Sequence, residues 1–412
     1  MKSVDNATCA ARLQDLLPHT LARLQRMVAI NSFTANAEGV NRLGALTAEC
    51  FSELGFTPSF LPSRHPAHGK HLVLERLSGT RKPVLMVTHL DTVFPEEEEI
   101  RNRFQWEEAP RENRIYGPGT VDIKGGTMLM WMLLHAVREF FPRLWEATDW
   151  VIAANASEET IGAEFGGLLS ARYPRGARAV LVFEGGPRVE GAFQLVTARK
   201  GRAEYRLQAR GVAAHAGSAH AEGVNAIVGL SGAVERVARF TDYARGLTLN
   251  VGSIRGGSVV NRVPHEACAE LEIRAFDPGV LQHACGAVEG LETPLCREQS
   301  LSEITVECLG KCPAWPAHPE TEALFEIWQS AAMQAGLKVQ NTARGGLSDA
   351  NYLWHLGPTL DGLGPSGANA HCSERSADGT RTPEYVEIDS FVPKALLNLL
   401  ALGRMLETQP AE

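Results

Sequence analysis

Residues 200–211, KGRAEYRLQARG, set Ala203, Tyr205, Leu207 and Ala209 in strict alternation with Arg202, Glu204, Arg206 and Gln208. A period of two lays the apolar side chains on one face of an extended strand and the polar ones on the other, as in an antiparallel sheet with one face in water. The stretch that follows continues the pattern. A helix-like GVNAIVGLSGAVERVARF at 223–240 leads to strand-like TLNVGSIRGG at 248–257 and HEACAELEIRAF at 265–276. A helix around 278–291 (PGVLQHACGAVEGL) and an alternating SEITVECLG at 302–310 complete it. This β, α, β, β, α, β order is the ferredoxin-like split arrangement, which can stand as a small domain of its own.

On either side the style is different. HLVLERL at 71–77, PVLMVTHLD at 83–91, DWVIAANASEE at 149–159 and ARAVLVFEGG at 177–186 are strand-like. They are interleaved with the helical patterns LARLQRMVAI at 21–30, VNRLGALTAECFSELGF at 40–56 (closing on Gly55) and a largely apolar GGTMLMWMLLHAVREFF at 125–141. Strands alternating with helices argue for an α/β layered domain. The helix TEALFEIWQSAAMQAG at 321–336, a Gly-rich ARGGLSDANYLW at 343–354 and the helix FVPKALLNLLALGRML at 391–406 resume that style. The expected organisation is therefore an α/β domain in two parts, 1–198 and 311–412, with an α+β domain inserted at 199–310. The run EEEE at 96–99 reads as a solvated loop.

A chain of 412 residues is long enough for about two domains, and 44% hydrophobic with 21% charged residues is ordinary for a globular protein. The formal charge of −8, without a Lys/Arg cluster interleaved with aromatics, argues against a nucleic-acid partner. No run of about 18 apolar residues is present, which argues against a membrane span. The opening MKSVDNATCAARLQDLLPHT lacks the apolar core of a secretory signal, so a cytoplasmic location is expected. Eight cysteines with no CxxC pair point to neither a disulfide framework nor a thiolate zinc site.

The residues with chemistry to offer stand at strand ends and in the loops beyond them, where a sheet can hold them rigid. MVTHLDTV ends a strand with His89, followed by Asp91, a carboxylate able to accept the second N–H of the imidazole. YGPGTVDIKGG places Asp122 before a hydrophobic helix and fits neither phosphate-loop pattern. NASEET supplies Glu158 and Glu159, LVFEGG supplies Glu184, and GPSGANAHCSER supplies His371. Each alone has a plain reading: His89 as a surface or core histidine, Asp122 as a helix cap, and the glutamates as loop carboxylates.

Together, His89, Asp122, Glu159, Glu184 and His371 make a histidine and carboxylate set free of thiolates, suited to two zinc ions or similar metals. Adjacent Glu158 and Glu159 then acquire a reason: a cation neutralises Glu159, and Glu158 stays free as a general base. A metal lowers the pKa of bound water to about 7, and a carboxylate can take its proton as it attacks a carbonyl. The expected chemistry is hydrolysis.

In order along the chain, THLDTV, GPGTVDIKGG, SEET, FEGG, GVAAHAG, NRVP with a following arginine, GGLSDA and GANAHCSER resemble the motifs of the M20 metallopeptidases. That family of dizinc hydrolases includes glutamate carboxypeptidase, aminoacylase, desuccinylase and dipeptidase members. The resemblance implies a mixed-sheet zinc-exopeptidase-like catalytic domain, with the inserted domain acting as a lid and dimerisation element. It implies that His89 and Glu184 hold one zinc, that Glu159 and His371 hold the other, and that Asp122 bridges them. It also implies that Asp91 orients His89 and that Glu158 is the base that later protonates the leaving amine. His215 is implied to stabilise the oxyanion, often in a neighbouring subunit's site, and Asn261 and Arg274 to bind substrate, Arg274 through a carboxylate. Gly367 would add backbone donors near that carboxylate, and Arg344, with Ser348 and Asp349, would line the pocket.

The function expected is dizinc hydrolysis of an amide beside a free carboxylate in a small substrate such as an N-acyl amino acid or short peptide. The protein is expected to be a homodimer, with manganese or cobalt as alternative metals. The competing expectations are a dipeptidase or aminopeptidase on the same site and a non-catalytic metal-binding protein.

Overall fold

The computed structural model describes residues 5–77, 82–160 and 162–408. The chain divides into two compact units: Met1–Thr197, Ala317–Ala343 and Ser348–Glu412 form one, and Ala198–Pro316 with Arg344–Leu347 form the other.

The first unit is built on a six-stranded sheet. Its order in space is Thr57–Leu61, His71–Arg76, Trp150–Asn155, Val84–His89, Ala179–Val182 and Thr359–Leu360. The last four run parallel, and His71–Arg76 runs against its neighbours, so the sheet is mixed. Every residue of Val84–His89 and Trp150–Asn155 is buried, which explains why these strands read as continuous apolar runs. The helix Lys124–Phe140 is buried nearly all round and packs against the helices Asn6–Val28 and Phe391–Thr408. Because parallel strands share one direction, His89, Asn155 and the Val182–Glu184 segment come to a common rim at their carboxyl ends.

Two local features differ from the pattern reading. The first helix begins at Asn6, capped by Asp5 through the Thr8 N–H, and runs through Pro18. Pro18 lies on the exposed side, where the carbonyl of Gln14 left without a donor can meet water. The acidic run at 96–99 is not a loop but the first turn of the helix Glu96–Asn102, where backbone N–H groups favour negative side chains. Glu98 bonds to Ser373 there, and Glu99 is partly buried.

The second unit is an antiparallel sheet with the spatial order Thr248–Gly256, Glu266–Ala275, Gly201–Arg210 and Glu303–Cys312. Burial alternates along Gly201–Arg210 and Glu266–Ala275. Their inward residues join the helices Ala226–Ala238 and Pro278–Glu289 in a separate core containing Tyr205, Leu207, Leu230, Val237 and Ile273. No helix among the described residues is long and apolar enough to cross a membrane.

Candidate metal centre

His89 closes its strand with a fully buried ring. Its Nδ1 lies 3.0 Å from the backbone carbonyl of Asp91, while the Asp91 carboxylate is farther away at 3.5 Å. The tautomer is therefore set mainly by the Asp91 carbonyl: Nδ1 carries the proton and Nε2 offers its lone pair outward. Nε2 faces Asp122 Oδ1 at 2.9 Å and Glu184 Oε1 at 3.7 Å. The Asp91 carboxylate has another task. Its Oδ1 accepts the N–H of Glu158 (3.0 Å), and its Oδ2 accepts the N–H of Glu159 (3.2 Å) and the Thr34 hydroxyl (2.7 Å).

Asp122 does not cap the helix that follows it; Ile123 occupies the cap position with no side-chain bond. Its second oxygen, Oδ2, faces His371 Nε2 at 3.3 Å, and His371 Nε2 lies 3.1 Å from Glu159 Oε2. His371 and Asn369 both have positive φ, at 66° and 61°, an uncommon conformation that turns this loop back toward Asp122. Gly126 lets the following helix come close, since a Cβ there would fall 1.9 Å from the Phe183 carbonyl, two residues after Leu181 and just before Glu184.

Two overlapping groups result: His89, Asp122 and Glu184, and Asp122, Glu159 and His371, each with ligand atoms within 4.8 Å of one another. Ligands about 2.1 Å from a tetrahedral ion stand about 3.4 Å apart. The separations of 2.9 and 3.7 Å in the first group straddle that value, and those of 3.1 and 3.3 Å in the second lie just below it. The donor set, imidazole and carboxylate without thiolate, fits zinc and its borderline neighbours.

The electrostatics point the same way. Five carboxylates (Asp91, Asp122, Glu158, Glu159 and Glu184) crowd two histidines. The Asp122 and Glu159 carboxylates push the His371 imidazole up to about 11. Burial by itself would lower His89, but the bonds to Asp122 and Asp91 outweigh it and raise the ring well above its ordinary value. A cation at these positions would offset the same carboxylate charge and leave the imidazoles neutral. Burial first, with Glu184 and Asp349 adding repulsion, raises the Glu158 carboxyl well above the usual range.

The sequence matches the model of "Peptidase family M20/M25/M40" over residues 85–388. The chain belongs to that family. It is accordingly a metallohydrolase of amide bonds. This M20 chain is 28% identical to carboxypeptidase G2 of Pseudomonas sp. (strain RS-16) over 388 residues, covering 93% of this chain and 88% of that protein. It is 27% identical to acetylornithine deacetylase of Klebsiella pneumoniae (strain 342) over 380 residues, covering 87% and 92%. The crystal structure of aminopeptidase PepT from Bacillus cereus ATCC 10987 has the same fold, with a TM-score of 0.76, 20% identity, and 94% and 98% of the two chains covered.

The remaining anticipated residues of this M20 chain fall in two groups. Gly367 is in the first unit, and its missing side chain is explained by packing: a Cβ would meet the Tyr385 carbonyl at 2.2 Å and Val121 at 2.8 Å. Ser348 and Asp349 are buried there as well, Asp349 accepting from Asn155 Nδ2 at 2.7 Å. His215, Asn261, Arg274 and Arg344 belong to the second unit. His215 is exposed, its Nδ1 accepts the N–H of Gly217 and of Ser218, and the Asn261 carbonyl accepts the N–H of Ala216 beside it. Arg274 pairs with Glu272 through Nε and Nη2 and donates from Nη1 to the Gly345 carbonyl. The Arg344 carbonyl accepts from the Lys200 N–H.

Three residues escaped the sequence reading: Thr34 and Asn155, which support Asp91 and Asp349, and Glu384, whose Oε1 accepts the N–H groups of Val121 and Asp122 at 2.8 and 3.0 Å. No spacing pattern marks any of them. A cavity of about 1150 Å³ lined by Asp149, Arg178 and Pro358 sits at the opposite rim, among residues that precede the parallel strands, and includes none of the metal set.

Proposed function

We propose that this M20 chain hydrolyses an amide next to a free carboxylate, with two zinc ions, or manganese or cobalt in their place. In this reading His89 and Glu184 hold one ion, Glu159 and His371 the other, and Asp122 serves both. The observation that carries it is the division of the Asp122 carboxylate, with one oxygen facing His89 and the other facing His371. When bound, such ions polarise a carbonyl and make water acidic enough to react near neutral pH.

The chain's own residues do the rest. Glu158 sits one residue before Glu159 with its backbone pinned to Asp91, and its raised affinity for a proton suits it to take one from water and return it to the leaving amine. In the neutral His215 ring, an Nδ1 that accepts two N–H groups leaves the proton on Nε2, the donor that a developing oxyanion needs. Arg274, with Asn261, is assigned to the substrate carboxylate. Glu272 keeps the guanidinium oriented until substrate arrives. We assign residues 199–310 to a lid that also forms the interface of a homodimer, with His215 acting on the partner's substrate.

The two relatives' names, a carboxypeptidase and an acetylornithine deacetylase, support an amide partner bearing an amino acid. The test is amine release from N-acyl amino acids, dipeptides and acylated glutamates, with and without chelator, alongside metal counting. Chelator-sensitive turnover confined to substrates with a carboxylate beside the scissile amide supports the reading; equal turnover of the carboxamide analogues overturns it.

A further inference from the structure

We propose that Glu384 is a positioning residue for the metal centre, locking the Asp122 turn and the His371 loop against each other so that Asp122 can face both ligand groups. The proposal rests on the two-ion reading above. Glu384 is fully buried and makes contacts in both directions. Its side-chain Oε1 accepts the N–H groups of Val121 and Asp122, at 2.8 and 3.0 Å. Its backbone carbonyl accepts the N–H of Gly117, at the start of the same Gly-rich turn, over 3.3 Å. Its own N–H donates to the carbonyl of Cys372, the neighbour of His371, over 2.7 Å. One residue thus ties the segment carrying Asp122 to the segment carrying His371, which lie 249 positions apart in the chain.

The cost of this arrangement argues that it has a use. A carboxylate withdrawn from water is unfavourable unless its oxygens are satisfied. Here Oε2 is buried with no hydrogen-bond partner among the described residues, and the positive charge that acts on this carboxyl is that of Lys124. Backbone contacts alone would hold a structural turn at less expense. What the carboxylate adds is direction: an acceptor shared by two successive N–H groups fixes the orientation of the peptide on which the Asp122 side chain is mounted. A ligand that must address two ions tolerates little rotation, and residues that orient ligands typically contribute 10- to 100-fold in metal affinity.

The experiment is zinc titration of the purified full chain by competition with a chromophoric chelator, with bound metal counted by native mass spectrometry, for the wild type, Glu384→Ala and Glu384→Gln. Glutamine retains an oxygen that can accept both N–H groups, whereas alanine leaves them unpaired. The expected result is two ions on the wild type, affinity for one of them about 10- to 100-fold weaker in Glu384→Ala, and near wild-type affinity in Glu384→Gln. If Glu384→Ala does not fold, Glu384→Asp takes its place, because it keeps the carboxyl group but draws the acceptor back by one methylene. Wild-type affinity for both ions in the alanine or aspartate variant overturns the proposal, as does a glutamine variant as weak as alanine. A wild type that binds fewer than two ions instead overturns the two-ion reading itself, and the assignment of Glu384 with it.

Discussion

The backbone N–H of Glu158 donates to Asp91 Oδ1 over 3.0 Å. The Asp91 carboxylate therefore aims the loop that carries Glu158 and Glu159, in addition to standing beside His89. Its three donors, the N–H groups of Glu158 and Glu159 and the Thr34 hydroxyl, are all stranded if it is removed. Asp91→Ala is expected to lower the unfolding free energy by roughly 2 to 5 kcal/mol and to reduce kcat as well, measured by urea denaturation and steady-state kinetics. Unchanged stability would show that water replaces the carboxylate without loss.

Glu158→Gln keeps the shape of the side chain and removes the base. Turnover should fall by about 10² to 10⁴, with KM little altered and metal content equal to that of the wild type. Loss of metal together with activity would make Glu158 a ligand instead.

Chelation should destabilise the folded chain, because carboxylates gathered around His89 and His371 are left to repel one another. Tm is expected to drop on dialysis against chelator and to recover with zinc. His371→Ala should retain one ion, with the His89 and Glu184 group intact. A Tm indifferent to chelator would argue that no cation holds this cluster together.

Arg274→Ala should raise KM for substrates with a carboxylate beside the amide by about 10- to 100-fold, since a charge-assisted pair of this kind contributes roughly 1.5 to 3 kcal/mol. Carboxamide analogues should be little affected. Equal effects on both would assign Arg274 to its contacts with Glu272 and Gly345 alone.

His135 gives a pH prediction away from the metal ligands. Burial, which outweighs the attraction of Glu53, lowers its imidazole to about 4. The unfolded chain takes up that proton near the ordinary value of about 6.5, so the unfolded state binds more protons between those limits. Stability from this group is complete above about pH 6.5 and is lost as pH falls toward 4, at up to about 1.4 kcal/mol per pH unit. In paired urea titrations from pH 7.5 to 4.5, His135→Gln should show the shallower decline; parallel curves would reject the assignment.

Much of the candidate metal set was legible because strand ends are legible. An apolar run that stops at a histidine or a glutamate puts that residue at a rim, as with His89 and Glu184, and Glu159 follows four residues after the end of another. Asp122 and His371 were readable only as members of a set, since each sits in a Gly-rich loop whose path no periodicity describes. The acidic run at 96–99 misled for a physical reason: like charges favour a solvated loop, yet at a helix N-terminus the exposed N–H groups favour the same charges.

The sequence by itself determined the layered α/β style, the alternating strands of the second unit and the identity of the residues able to bind a metal. These follow from side-chain periodicity and functional-group chemistry, which are local properties. Only the tertiary structure decided that the Asp91 carboxylate aims the Glu158 loop, and that Asp122 divides its oxygens between two histidines. The same holds for Glu384, which joins the segments around Asp122 and His371. Hydrogen bonds between groups scores to hundreds of residues apart depend on where the chain returns in space. That return is set by the packing of the whole core, so no short stretch of residues records it.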